Sequence, residues 1–242
     1  MFRYVRHGAL AGVAGGAATA LFLLLVGQRS INEAIAAERA AGHGGDALFS
    51  RGVQQAGGAL GAVLVGAALG SALAVVFAAV RHRLAGRDDF DRSVRLGAAA
   101  FVTVFLVPFL KYPANPPAVG DPTTAGRRAA LYLVALSWSV VAAWAAWRLR
   151  RWLSAEGRPA RLNQAAAVAM WLTLVGLGFA ILPGSPDPVT LPASLIWRFR
   201  LASAGGQALF WAVTACAFGW LCLARATGGG RGPETPAVGH RG

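Results

Sequence analysis

The sequence predicts an all-α, polytopic membrane protein with six transmembrane helices and both termini in the cytoplasm. Three observations carry that prediction. Hydrophobic residues make up 56% of the 242-residue chain and charged residues only 14%, and the charges are gathered into patches. Between the patches lie six apolar runs that contain no Asp, Glu, Lys, Arg or His: Gly8–Val26, Gly57–Val80, Leu96–Leu110, Ala129–Trp147, Ala165–Leu182 and Leu201–Leu223. A bilayer core of about 30 Å takes roughly 20 apolar residues at helical rise. Five runs reach or approach that length; the third, at fifteen residues, is short. The basic residues then orient the chain. With the N-terminus inside, 15 of the 23 Lys and Arg residues fall on the cytoplasmic side and eight on the outer side, and arginine-rich loops resist translocation.

The first run follows a short basic segment, Met1–His7. It is longer than a signal-peptide core, and no small-x-small site directly follows it; Ala34 and Ala36 form a distant one. It therefore reads as a retained span. Gly8, Gly12 and Gly16 recur every fourth residue here, and Gly57, Gly61, Gly66 and Gly70 line the second run. Such spacing lets helix backbones approach closely in lipid, so the first two spans are expected to pack on each other. The outer loop between them, Gly27–Ala56, carries Ser30-Ile31-Asn32-Glu33, which fits a capping box. A short helix from Ile31 to Ala41, stopped by Gly42, is the expectation. Glu38, His43 and Asp46 follow, the outer-side residues whose carboxylates and imidazole could ligate a divalent metal of the cobalt or nickel type. Capping by Glu33 and plain solvation of Glu38 account for the acids equally.

On the cytoplasmic side, Arg81–Arg95 mixes Asp88, Asp89 and Asp91 with five arginines. Acids at the start of the third helix suit its dipole, and ion pairing at the membrane surface accounts for the remainder. From Arg95 to Lys111 a helix covers only about 24 Å. The segment after it is expected to begin below the outer interface, sheltered by protein or water.

That segment is the least ordinary in the chain. Lys111-Tyr112-Pro113-Ala114-Asn115-Pro116-Pro117-Ala118-Val119-Gly120-Asp121-Pro122 places four prolines within ten residues and holds the only lysine. Proline fixes φ and pushes its predecessor into extended geometry, which predicts a stiff strap. Asp121 is placed to cap the fourth helix, with Pro122 as its first residue. Lys111 is expected on the floor of an outer vestibule within reach of Asp121 or Asp187, with Arg127, Arg198 and Arg200 at the rim. A rigid connector with no further role is the other reading of the strap.

Trp147 and Trp152 flank the basic loop Arg148–Arg161 as interfacial anchors. The last outer loop, Pro183–Arg200, ends in a helix start with Pro192 in its first turn; continued into the sixth span, this helix exceeds thirty residues. Trp197 is then a belt residue, and Arg198 and Arg200 snorkel. Residues 226–242 are Gly- and Pro-rich and read as a disordered cytoplasmic tail, leaving 1–225 as one transmembrane domain.

Several chemistries are excluded. A net charge of +13 suggests nucleic acid in a soluble domain, but here the arginines border membrane spans and meet anionic headgroups of the lipid bilayer. A P-loop needs Gly before its Lys and Ser or Thr after it, whereas Lys111 lies between Leu110 and Tyr112. Cys216 and Cys222 stand six apart on different faces of one helix and read as packing residues. No paired-His motif or Ser/His/Asp set appears, so no enzyme and no cofactor is expected. The spans offer only hydroxyls, Tyr132, Gln207 and the two cysteines as polar groups.

The strap resembles the probable cobalt transporter family CbtA. Ser50-Arg51-Gly52-Val53-Gln54-Gln55 and Leu195-Ile196-Trp197-Arg198-Phe199-Arg200-Leu201-Ala202-Ser203 agree with it as well, in order and spacing. The resemblance implies a bacterial cytoplasmic (inner) membrane protein linked with cobalt uptake for corrinoid synthesis. It further implies, as partner, a small single-span companion protein carrying histidines, and a divalent metal or metal chelate as cargo. Many relatives carry several histidines in the first outer loop, where this chain has His43 alone, and often an acid where this chain has Thr123. Two readings follow: a component of a metal uptake system, or a non-transporting scaffold or sensor that recruits a partner. The second draws on the absence of ionisable groups within the spans.

Overall fold

The computed structural model describes residues 1–40, 50–116, 122–185 and 191–228; for 37–40, 122 and 225–228 it describes the backbone alone. Among these residues all regular structure is helical. Six helices are long and apolar enough to cross a membrane: Phe2–Ala36, Arg51–Arg83, Asp89–Lys111, Ala125–Ala155, Ala160–Ile181 and Ala193–Ala224. The chain forms α1 (Phe2–Phe22), α2 (Gln28–Ala40), α3 (Arg51–Val80), α4 (Asp89–Ala100), α5 (Val107–Lys111), α6 (Ala125–Ala155), α7 (Ala160–Ile181) and α8 (Ala193–Gly228). Short π-helical segments, Leu23–Gly27 and Phe101–Leu106, join α1 to α2 and α4 to α5 without breaking either span. In space the order is α3, α1, α8, the third span (α4 to α5), α6, α7; α6 meets the third span through its π segment and α5, and α7 packs mainly on α6.

The tightest contact lies between α1 and α3, the first two spans. A Cβ on Gly12 would lie 2.0 Å from the Gly66 carbonyl oxygen, one on Gly8 2.3 Å from that of Gly70, and one on Gly16 2.4 Å from that of Ala62. These are backbone atoms, so nothing can move aside. A Cβ on Gly57 or Gly61 would meet nothing within 4 Å; the five-residue step from Gly61 to Gly66 turns them about 140° or more away from the seam, while Ala62 beside them still touches Gly16. A neighbouring face of α1 meets α8, and the side away from both is exposed. Gly15 lies against Phe210 and Thr214, and Thr19 Oγ1 donates to the Gly206 carbonyl at 3.1 Å.

At the end that carries the termini, Tyr4, Phe77 and Phe218 form an aromatic cluster, with the Phe77 and Phe218 rings edge-on at 5.2 Å. Arg81 ties it off: it donates to the Tyr4 hydroxyl and pairs with Asp89 at 3.4 Å. Asp89 also pairs with Arg92, and Asp91 with Arg95. Asp88 caps α4, its carboxylate accepting from the Asp91 N–H at 2.8 Å. Arg148 and Arg151 lie over the Trp144 and Trp147 rings. Between α6 and α7, Gly157 takes φ 71°, and the Arg158 N–H closes back on the Leu153 carbonyl, a Schellman turn.

Three expectations need correction. Ser30 does not start a helix; it is buried within the continuous run from Phe2 to Ala40. A capping box works only where the chain enters from extended backbone. Gln28 is already helical at φ −61°, ψ −34°, so the following N–H groups have intrahelical acceptors, and Glu33 is released to pair with Arg198. The third span is not short either. It runs from Asp89 to Lys111, 23 residues, or about 34 Å at helical rise. Its first two turns are polar and pair among themselves, which is why a count of apolar residues misses them. The π segment inside it has a local cause. Pro108 lacks an N–H and its ring presses on the carbonyl of Val104; the ladder widens so that the Val107 N–H reaches Val102. Cys216, expected to pack, is exposed, while Cys222 is partly buried.

The seam between α1 and α3 generates a test. Gly12→Leu is expected to destabilise the purified protein by at least about 1–3 kcal/mol. Gly61→Leu, with open space around it, should stay within about 0.5 kcal/mol of the parent. Thermal unfolding in one detergent compares them, and equal midpoints for the two variants would remove the seam from the account.

Candidate functional site

The three stretches that resemble one family are far apart in sequence. All three lie at the end of the bundle opposite Met1, and the strap and the start of α8 are in direct contact there. Ser50 caps α3, accepting from the Val53 N–H. Its neighbour Arg51 donates to the side-chain oxygens of Gln28 at 3.1 Å, Asn32 at 3.0 Å and Gln54 at 3.1 Å. One guanidinium thus joins the end of the first span to the start of the second, and its planar fork of donors suits three acceptors.

The strap is held on two sides. Lys111 Nζ donates to the Phe179 carbonyl at 2.9 Å, in the last turn of α7, where cations suit the unpaired carbonyls and the dipole. The Tyr112 hydroxyl donates to the Pro183 carbonyl at 2.7 Å, and desolvation raises this phenol above its ordinary pKa. On the other side Arg200, from the second turn of α8, donates to the Ala114 carbonyl at 3.3 Å and to Asn115 Oδ1 at 2.8 Å. Pro113 and Pro116 flank these anchors. The strap is therefore tied by its own side chains to the end of α7 and the residue beyond it, and by Arg200 to α8.

Beneath it lies a pocket of about 500 Å³. Tyr112, Pro113, Ala114 and Asn115 form one wall, Phe105 and Phe109 of the third span another, and Ala125, Arg128, Leu131 and Tyr132 of α6 a third; Arg200 and Ser185 complete the lining. Phe101, Phe105 and Phe109 stack in sequence at 5.6 and 4.9 Å, so the aromatic wall is rigid. Two arginines face a largely apolar cavity, and no carboxylate, thiol or imidazole is among its described lining residues.

Lys111 lies against α7 rather than in the pocket lining. Arg127 is exposed, and Arg128, one position on, occupies the wall. Arg198 points to Glu33, and Trp197 is exposed. Pro117, Asp121, Asp187, His43 and Asp46 lie outside the described residues, and of Glu38 only the backbone is described. Among the described residues no group of three His, Cys, Asp or Glu side chains could hold a metal ion. α6 begins at Ala125 after a 3-10 turn, Pro122–Thr124. Arg128 and Tyr132 were not singled out from the sequence. Their spacing from Ala125 puts all three on one helix face, a usable signal once the pocket side of α6 is known.

No curated protein and no solved structure matches the chain. A protein-family match does cover nearly all of it, residues 1–223, and the family is described as "Probable cobalt transporter subunit (CbtA)". With six membrane-capable helices and the strap assembled at one end, the chain is a multi-pass membrane protein that belongs to the CbtA family.

Proposed function

We propose that this protein is the membrane component of an uptake system for cobalt or a related divalent metal in the bacterial cytoplasmic membrane, with both termini inside and the pocket beneath the strap as its outer vestibule. The observation that carries the reading is the convergence just described. The three family-like stretches build one end of the bundle, and the strap roofs a 500 Å³ pocket there. The eight basic residues of that end against 15 at the other support the orientation.

Arg128 and Arg200 repel a bare cation, and the pocket's aromatic walls offer it no ligand. This favours cargo carried by an anionic chelator, or metal passed from a partner's ligands. A small single-span companion protein suits that role, because an ion path through lipid takes ionisable or metal-binding groups and the described spans assemble none. Two of the in-span hydroxyls are spent locally: Ser71 donates to Ala67 and Thr19 to Gly206. The same observation favours the second reading, a scaffold or sensor that positions a transporting partner without conducting.

Two measurements separate these ideas. In a variant lacking Cys216 and Cys222, a thiol at position 114 should label from outside intact cells, and one at position 157 only after permeabilisation; the reverse pattern overturns the orientation. Arg200→Gln removes both anchors of the strap on α8. A charged hydrogen bond of this kind contributes about 1.5–3 kcal/mol, so cobalt uptake in cells carrying the partner should drop roughly tenfold at unchanged membrane abundance. Uptake that depends on the partner but ignores Arg200→Gln would support the scaffold reading.

A further inference from the structure

The first span and α8 stay packed on each other through Leu23–Gly27 and α2, and a groove opens beside this seam between two anchoring levels. At the lower level Thr19 bonds Gly206, and a Cβ on Gly205 would lie 3.2 Å from the Phe22 ring. At the upper level Arg198 pairs with Glu33. The intervening groove has a volume of about 530 Å³. Its walls are Phe22, Leu25, Val26 and Leu201, with Arg29 and Arg198 above them. Leu25 is 71% exposed and Leu201 55%, so the apolar part opens sideways toward the hydrocarbon. Arg29 lies 27 residues beyond Phe2, about 40 Å along the helix, which is headgroup height for a core of about 30 Å. It is exposed and, among the described residues, has no hydrogen-bond or ion-pair partner. Glu33 balances one of the two guanidinium groups and leaves one positive charge in excess.

A groove with an apolar, laterally open body and one uncompensated cation at headgroup height matches an amphiphile with acyl chains and a single negative charge. We propose that it binds one anionic phospholipid, with an acyl chain against Phe22, Leu25 and Leu201 and the phosphodiester accepting hydrogen bonds from Arg29 and Arg198. A guanidinium fork is well shaped for phosphate oxygens, and a zwitterionic headgroup would bring its own cation up to two arginines. The site also bears on the strap. Arg198 and Arg200 occupy the same turn of α8, so a lipid that orders this turn steadies the side chain that holds Ala114 and Asn115.

Native mass spectrometry of the detergent-purified chain, titrated with phosphatidylglycerol or phosphatidylcholine, tests the proposal. One phosphatidylglycerol per chain should be retained in preference to phosphatidylcholine. Arg29→Gln should weaken that retention about fivefold, while Arg3→Gln, an equal loss of charge at the other end, leaves it unchanged and Arg29→Lys restores most of it. Equal retention of the two lipids, or equal effects of Arg29→Gln and Arg3→Gln, would overturn the assignment. Displacement of the bound lipid by millimolar inorganic phosphate would overturn it as well, because the groove would then read a free anion. Should Arg29→Gln not fold, thermal unfolding of the unaltered chain decides: a shift with phosphatidylglycerol but not with phosphatidylcholine or phosphate supports the site, and no shift overturns it.

Discussion

Hydrocarbon gives two apolar helices no reason to leave the lipid for each other, so this bundle depends on how closely backbones can approach. The contact between α1 and α3 meets that requirement by having nothing in between: Gly8, Gly12 and Gly16 face Gly70, Gly66 and Ala62 at backbone distance. Dispersion contacts and Cα–H···O approaches accumulate along such a seam. An adjoining face of α1 is held by a different device, the Thr19 hydroxyl on the Gly206 carbonyl. With α1 fixed against both, α3 and α8 are set relative to each other, and the third span and α6 follow by packing outward.

The two ends of the bundle solve different electrostatic problems with the same residue type. Near the termini, arginines meet carboxylates: Arg81 and Arg92 converge on Asp89, and Arg95 pairs with Asp91. At the strap end carboxylates are scarce among the described residues, and the cations turn to neutral acceptors instead. Arg51 takes three side-chain amide oxygens, Arg200 a backbone carbonyl and an amide, Lys111 a backbone carbonyl. Bonds from a charged donor to a neutral acceptor hold a geometry without cancelling the charge. The strap end therefore stays positive while being rigid, a combination suited to anionic chelates or lipid phosphates and unsuited to a naked divalent ion.

The same contrast limits what the transmembrane part can do alone. Proline in the third span and the π segment beside it widen the helix where the aromatic wall of the pocket begins, yet no ionisable side chain continues the route inward. Ser139 and Thr214 are buried with hydroxyls that find no partner. They offer weak polar footholds in a dry interior, not a coordination shell.

Much of this was legible in the sequence for physical reasons that act locally. Helical class, the number of spans and their approximate places follow from hydrophobicity over a bilayer's thickness. The importance of the strap follows from proline, which acts on its own residue and the one before it. The glycine spacing announced a close approach, and the strap, Arg51 and Arg200 stretches announced the family. What the sequence could not decide depended on partners distant along the chain. Only packing shows which face of α3 meets α1: the five-residue step from Gly61 to Gly66 puts the two glycine pairs on different faces, and Gly66 and Gly70 take the seam. Glu33 looked like a cap and became the partner of Arg198, since the helix ran on past Ser30 and no free N–H remained for it. Lys111 found the end of α7, a carbonyl that carries no mark in the sequence. Arg128 rather than Arg127 lines the pocket, because the rotation of α6 about its own axis is fixed by packing. Residue type determines whether a segment enters the membrane and how stiff it is; which side chains meet is decided by the tertiary structure, because helix rotation and crossing are properties of the assembled bundle alone.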